Sequence, residues 1–99
     1  MTTGDALDRR SKHQIYLAEV MVSLKPVVND PQGLAIRDGL RSLGYGEVDS
    51  VRAGKYLRVT VEAETSEDAR SRVAQMCEQL LSNPVIETFD IQLTALSDR

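Results

Sequence analysis

The side chains best suited to chemistry in this chain are a single histidine, His13, and a single cysteine, Cys77. Imidazole is the commonest general base near neutral pH, and a thiolate is a strong nucleophile. Their positions argue against both roles. His13 borders a polar N-terminal stretch, where a solvated ring is expected. Cys77 falls in an apolar helical stripe beside Met76 and Leu80, where a thiol packs as a small hydrophobe. Glu67 and Asp68 are a carboxylate pair by sequence, but consecutive helical residues point apart, and the first turn of a helix favours anions in any case. No Cys/His spacing suits zinc, no glycine-rich loop cradles phosphate, and no serine has an evident histidine partner. The expected catalytic, metal-binding and cofactor-binding residues of this chain are therefore none.

Two polar segments remain. Arg52-Ala53-Gly54-Lys55-Tyr56 offers a short basic surface to an acidic group on a partner, although a solvated hairpin turn is the simpler reading of these residues alone. Asp30-Pro31-Gln32-Gly33 reads as a helix start, with Asp30 capping free amides and Pro31 at the first helical position.

The elements around these segments follow from hydrophobic spacing. Tyr16, Ala18, Val20, Val22 and Leu24 alternate at a period of two and predict a strand, whose other face carries Leu17, Glu19, Met21 and Ser23. Ile36, Gly39, Leu40 and Leu43 recur at helical steps, Gly44 supplies a stop, and Gly39 within the stripe suggests close backbone packing. Glu47–Ala53 and Tyr56–Ala63 predict a hairpin joined at Gly54 and Lys55. Its second strand alternates cleanly, whereas Val48 and Val51 in the first have opposite parity. Thr65 caps a second helix with the stripe Ala69, Val73, Met76, Cys77 and Leu80, ending near Ser82 ahead of Pro84. Val85, Glu87, Phe89, Ile91 and Leu93 predict a last strand.

The order βαββαβ implies an α+β split-βαβ (ferredoxin-like) sandwich: two helices on one face of a four-stranded, mainly antiparallel sheet, with right-handed β-α-β crossovers. Residues 15–94 form the domain, 1–14 a flexible tail and 95–99 a short C-terminal tail. Two helices cover one side only, so Leu17, Met21 and Ile86 are expected to face outward as a self-association surface.

Ninety-nine residues hold one domain with a thin core, to which association would add burial. A net charge of −3 gives no footprint for phosphate backbones, so nucleic acid is not an expected partner. One cysteine, no membrane-length apolar span and no signal-peptide pattern predict a cytoplasmic chain without a membrane partner.

Val22-Ser23-Leu24-Lys25, Asp30-Pro31-Gln32-Gly33, Leu43-Gly44-Tyr45, Val51-Arg52-x-Gly54-Lys55-Tyr56, Met76-Cys77-Glu78-x-Leu80-Leu81 and Asn83-Pro84-Val85-Ile86-Glu87 occur in the order and spacing of a known family. Over about Tyr16 to Leu93 the chain resembles PurS, the accessory component of bacterial phosphoribosylformylglycinamidine synthase. That resemblance implies a non-catalytic subunit of an ATP-dependent ligase complex in purine biosynthesis, which converts formylglycinamide ribonucleotide to formylglycinamidine ribonucleotide with glutamine and ATP. The glutaminase PurQ would release ammonia through a cysteine, and the synthetase PurL would bind ATP and magnesium and activate the amide oxygen. PurS would promote their assembly and assist ammonia transfer. It implies a homodimer or a dimer of dimers, and makes Arg52, Gly54, Lys55 and Tyr56 candidate partner contacts. Met1–Gln14 lies outside the family pattern, and Arg58 stands where a less basic residue is expected. The competing expectation, from fold analogy, is a regulatory domain that pairs and senses a small molecule at its interface.

Overall fold

The computed structural model describes residues 13–98. The expected N-terminal tail lies outside the described residues, except His13 and Gln14. Three strands and two helices run in the order β1 (Gln14–Leu24), α1 (Pro31–Ser42), β2 (Gly54–Ala63), α2 (Ser66–Met76) and β3 (Glu87–Asp98). A π turn at Cys77–Leu81 continues α2. The sheet order is β2-β1-β3 with both pairings antiparallel, so β2 and β3 run parallel to each other on either side of β1, with α2 as their crossover. The α+β class and the antiparallel sheet are as the sequence implies.

The core is one seam. On the inner face of β1 the alternating residues Tyr16, Ala18, Val20 and Val22 are buried, flanked by Leu57, Val59 and Val61 of β2 and by Phe89, Ile91 and Leu93 of β3. From above, α2 contributes Ala69, Val73 and Cys77, all fully buried. The four-residue step continues to Leu81, which packs on the same cluster, whereas Leu80 is 83% exposed. The cause is the wide last turn: the Ser82 amide donates to the Cys77 carbonyl five residues back, at 2.9 Å, and the Ser82 hydroxyl donates to the same oxygen. A helix held at its normal pitch would have carried Leu80 inward.

The structure corrects four expectations. Glu47–Ala53 is not a strand, so among the described residues the sheet has three strands and no hairpin joins at Gly54, which instead opens β2. Opposite parity at Val48 and Val51 leaves that segment without a face to bury. Only α2 packs substantially on the sheet: in α1 only Gly33 is buried, while Leu34, Ile36 and the adjoining Leu43 are exposed. The two-helix layer is therefore absent, and Gly39 has nothing within 4 Å of where a Cβ would stand. Finally, β3 runs to Asp98, so the short tail expected at 95–99 is strand up to that residue, with Leu96 bulged out between the pairs Tyr16–Ala95 and Ile15–Ser97.

Local signals account for the helix ends. Gly44 has φ 105°, the conformation that lets the chain leave α1. Thr65 Oγ1 accepts from the Asp68 amide at 3.1 Å, with Glu67 and Asp68 in the first turn of α2, the capping role that their spacing implies.

Burial makes a contrast between two apolar residues of the same helical stripe. Val73→Ala should destabilise the chain by about 2 kcal/mol through lost methyl burial and a residual cavity. Leu80→Ala should stay within ~0.5 kcal/mol. Urea melts of the two variants check both values.

Candidate functional site

The two polar segments meet where β1 ends and β2 begins. Asp30 is the N-cap of α1 and is only 4% exposed. Its Oδ1 accepts from the Gly33 amide at 2.9 Å and its Oδ2 from the Ala53 amide at 2.8 Å. The Gly33 bond and then the Ala53 bond hold its carboxyl below the usual range, with help from the nearby Arg52 guanidinium and against the opposing effect of burial. Gly33 is required here, because a Cβ would collide with the Val51 carbonyl oxygen.

Each residue of the second segment already has work inside the chain. Arg52 Nη2 donates to the Lys25 carbonyl at 2.9 Å. Gly54 permits β2 to approach β1, since a Cβ would stand 2.5 Å from the Val22 oxygen. Lys55 Nζ donates to the Leu81 carbonyl at 3.1 Å, placing a cation at the C-terminal end of the π turn. Tyr56 points to the opposite face of the sheet, where its hydroxyl donates to Glu19 Oε2. That bond, and then burial, push the phenol pKa up. The four candidate contact residues therefore do not form one patch: three build a joint and Tyr56 belongs to the open face.

A cavity of about 250 Å³ opens at the joint, lined by Asp30, Gln32, Ala53, Gly54, Lys55 and Glu87 among others. Its charged groups are taken up, Asp30 and Lys55 as above and Glu87 by accepting from the Asn83 amide at 2.6 Å. No buried side-chain polar atom among the described residues lacks a partner. The cavity lies along the seam between the two segments.

The open sheet face carries Leu17, Glu19 and Met21 of β1, with Tyr56 directly across from Met21 and Arg58 across from Glu19. Met21 is 37% and Tyr56 54% exposed. Ile86 is not on this face: it lies in the turn before β3, where its carbonyl accepts from the Lys25 amide at 2.8 Å. The two residues suited to catalysis stay apart. His13 stands 3.9 Å from both Glu62 and Glu64 at the edge of β2, and Cys77 is buried under α2, with its thiol pushed up first by desolvation and then by Glu78. A thiol so held is inert.

Sequence reasoning found Asp30 as a cap but missed its second bond, to an amide far along the chain. It also missed the Lys55–Leu81 tie. The cap has a local signature of Asp and Pro before a helical stripe, whereas neither long-range bond has one.

The model of the family described as PurS, phosphoribosylformylglycinamidine (FGAM) synthase, matches residues 17–95. The chain belongs to the PurS family. It is 42% identical over 93 residues to the PurS subunit of phosphoribosylformylglycinamidine synthase from Synechocystis, covering 94% of this chain and 93% of that one. It is 47% identical over 75 residues to the subunit from Bacillus subtilis, covering 76% and 88%. The structure of B. subtilis PurS superposes with a TM-score of 0.73 at 44% identity, covering 80% of this chain and 98% of that one. A chain in the structure of PurLQS from Thermotoga maritima superposes with a TM-score of 0.72 at 34% identity, covering 83% and 98%. The motifs that carry the PurS resemblance, Asp-Pro-Gln-Gly and Arg-x-Gly-Lys-Tyr, are thus the two sides of the joint.

Asp30 also sets an acid sensitivity. Its pKa is depressed on folding, so the unfolded chain takes up the proton first, near its ordinary value of about 4. The stability it contributes is complete above that pH and is lost as the pH falls through the lower, folded value. Thermal melts from pH 6 down to pH 3 should show the wild-type midpoint falling more steeply below about pH 4 than that of Asp30→Asn, and parallel curves would contradict the assignment.

Proposed function

We propose that this chain is the PurS subunit of phosphoribosylformylglycinamidine synthase in purine biosynthesis, acting through assembly rather than catalysis. The observation that carries the reading is the match to PurS along almost the whole described chain, which includes likeness to a chain of the PurLQS complex. In this reading it binds the synthetase PurL and the glutaminase PurQ, draws them together, and helps keep transferred ammonia from solvent. ATP and magnesium bind on PurL, and the complex works in the cytoplasm.

The thin core supports self-association as well. One helix covers one face of the sheet, and Leu17, Met21 and Tyr56 on the other face, with Leu34 and Ile36 on α1 and Leu43 just after it, leave apolar surface for other chains. We assign the open face around Leu17 and Met21 to a second copy, giving a homodimer or a dimer of dimers.

Reconstitution tests the reading. The chain is mixed with PurL, PurQ, formylglycinamide ribonucleotide, glutamine and ATP, and formylglycinamidine ribonucleotide is followed. Product should form with the chain present and fall to near background without it; equal rates in both mixtures would refute the function. Light scattering of the same preparations should give Met21→Glu a mass near the 11.0 kDa of one chain, against a multiple of it for wild type.

A further inference from the structure

We propose that residues 31–53 form a hinged arm, clasped to the body of sheet and α2 by the Asp30 carboxylate. The arm is α1, the turn at Gly44 and the return segment up to β2. It is tied to itself: Arg41 Nε donates to the Val48 carbonyl at 2.9 Å, Tyr45 N to the Leu40 carbonyl at 3.1 Å, and Val48 N to the Tyr45 carbonyl at 3.2 Å. Gly33 lies against the Val51 carbonyl, closing the first turn of α1 onto the return segment. The body is tied to itself by the α2 seam.

Between arm and body the structure is sparse. The chain enters the arm at Asp30 and leaves it at Ala53, and the carboxylate joins these two points by accepting from Ala53 while it caps α1 through Gly33. One exposed bond runs alongside, from Arg52 to the Lys25 carbonyl. Among the described residues neither apolar cluster of the core includes a residue of the arm, and Leu34 and Ile36 are about two-fifths exposed and Leu43 about three-quarters. A buried carboxylate that spans entry and exit fixes the angle at which the arm leaves the sheet. Losing it frees that angle without disturbing a strand or the core. The use of the device, holding the apolar stripe of α1 at a set orientation toward a neighbouring subunit, rests on the subunit reading above; the clasp itself does not.

Spin labels test it on the full chain. Ser42→Cys on the arm and Ser71→Cys on α2, both exposed and away from the open sheet face, take nitroxides, while the buried Cys77 does not react. Labelled chain is diluted into unlabelled chain, so that only distances within one chain are read by pulsed electron resonance. Wild type should give one narrow distance distribution, Asp30→Ala a broad one, and Asp30→Asn, whose single carbonyl oxygen can keep one of the two bonds by that atom, a width between them. Amide exchange in β1 and α2 should stay within about twofold of wild type, as for a separately stable unit. The same distribution in all three chains would overturn the clasp. So would a rise in exchange shared equally by α1, β1 and α2, or an Asp30→Ala chain that does not fold, because either places Asp30 in the common core.

Discussion

Val73 of α2 and Cys77 just after it seat on the row formed by Ala18, Val20 and Val22, Ala69 seats beside Tyr16 and Ala63, and the sheet is arranged around those contacts. The row lies on the central strand, so its burial also fixes the inward faces of β2 and β3 through the ladder: Val20 pairs with Leu57 on one side and Ile91 on the other. The same contact sets a limit. One helix is wide enough to cover a three-stranded sheet, and once α2 occupies the inner face there is no place on it for α1. The helix that a four-stranded sandwich would have accommodated stands off with its apolar stripe uncovered, and the outer face of the sheet stays open. A chain of this size has few means to stabilise such a surface alone, and association is the general remedy.

Much of this was legible in the residues. Strict alternation in Tyr16–Val22 and in Leu57–Val61 gave strands and faces, because burial of one side of a pleated strand leaves that trace. Asp30-Pro31 and Thr65 gave both helix starts, since caps are local chemistry. The failures were of another kind. Glu47–Ala53 has β-branched residues but no consistent face, and the side chain of Arg41 with the carboxylate of Asp30, rather than a ladder, hold it in place. Leu80 and Leu81 are adjacent, and only the long Ser82–Cys77 bond decides which faces the core. Gly39 lay in a helical stripe that meets no counterpart surface among the described residues. In each case the spacing of apolar residues does not register the geometry that decides the outcome.

The candidate site shows the same division. The motif Arg-x-Gly-Lys-Tyr suggested a basic contact patch, yet folding sends Lys55 and Tyr56 to opposite faces and gives Arg52 and Lys55 backbone carbonyls to satisfy. Its residue types are explained by the joint they build: glycines where backbones nearly touch, cations that donate to backbone carbonyls, a carboxylate where two amides converge. What they do is hold an arm, a sheet and a helix in fixed relation, which is what a subunit that organises larger partners has to supply.

That role is tested most directly by asking whether the chain enters the complex. Size-exclusion chromatography of this chain with PurL and PurQ, with ADP and glutamine present and absent, should move it into a single peak with both partners in at least one of those conditions. A chain that elutes at its own volume in every mixture, while folded by circular dichroism, would contradict the account.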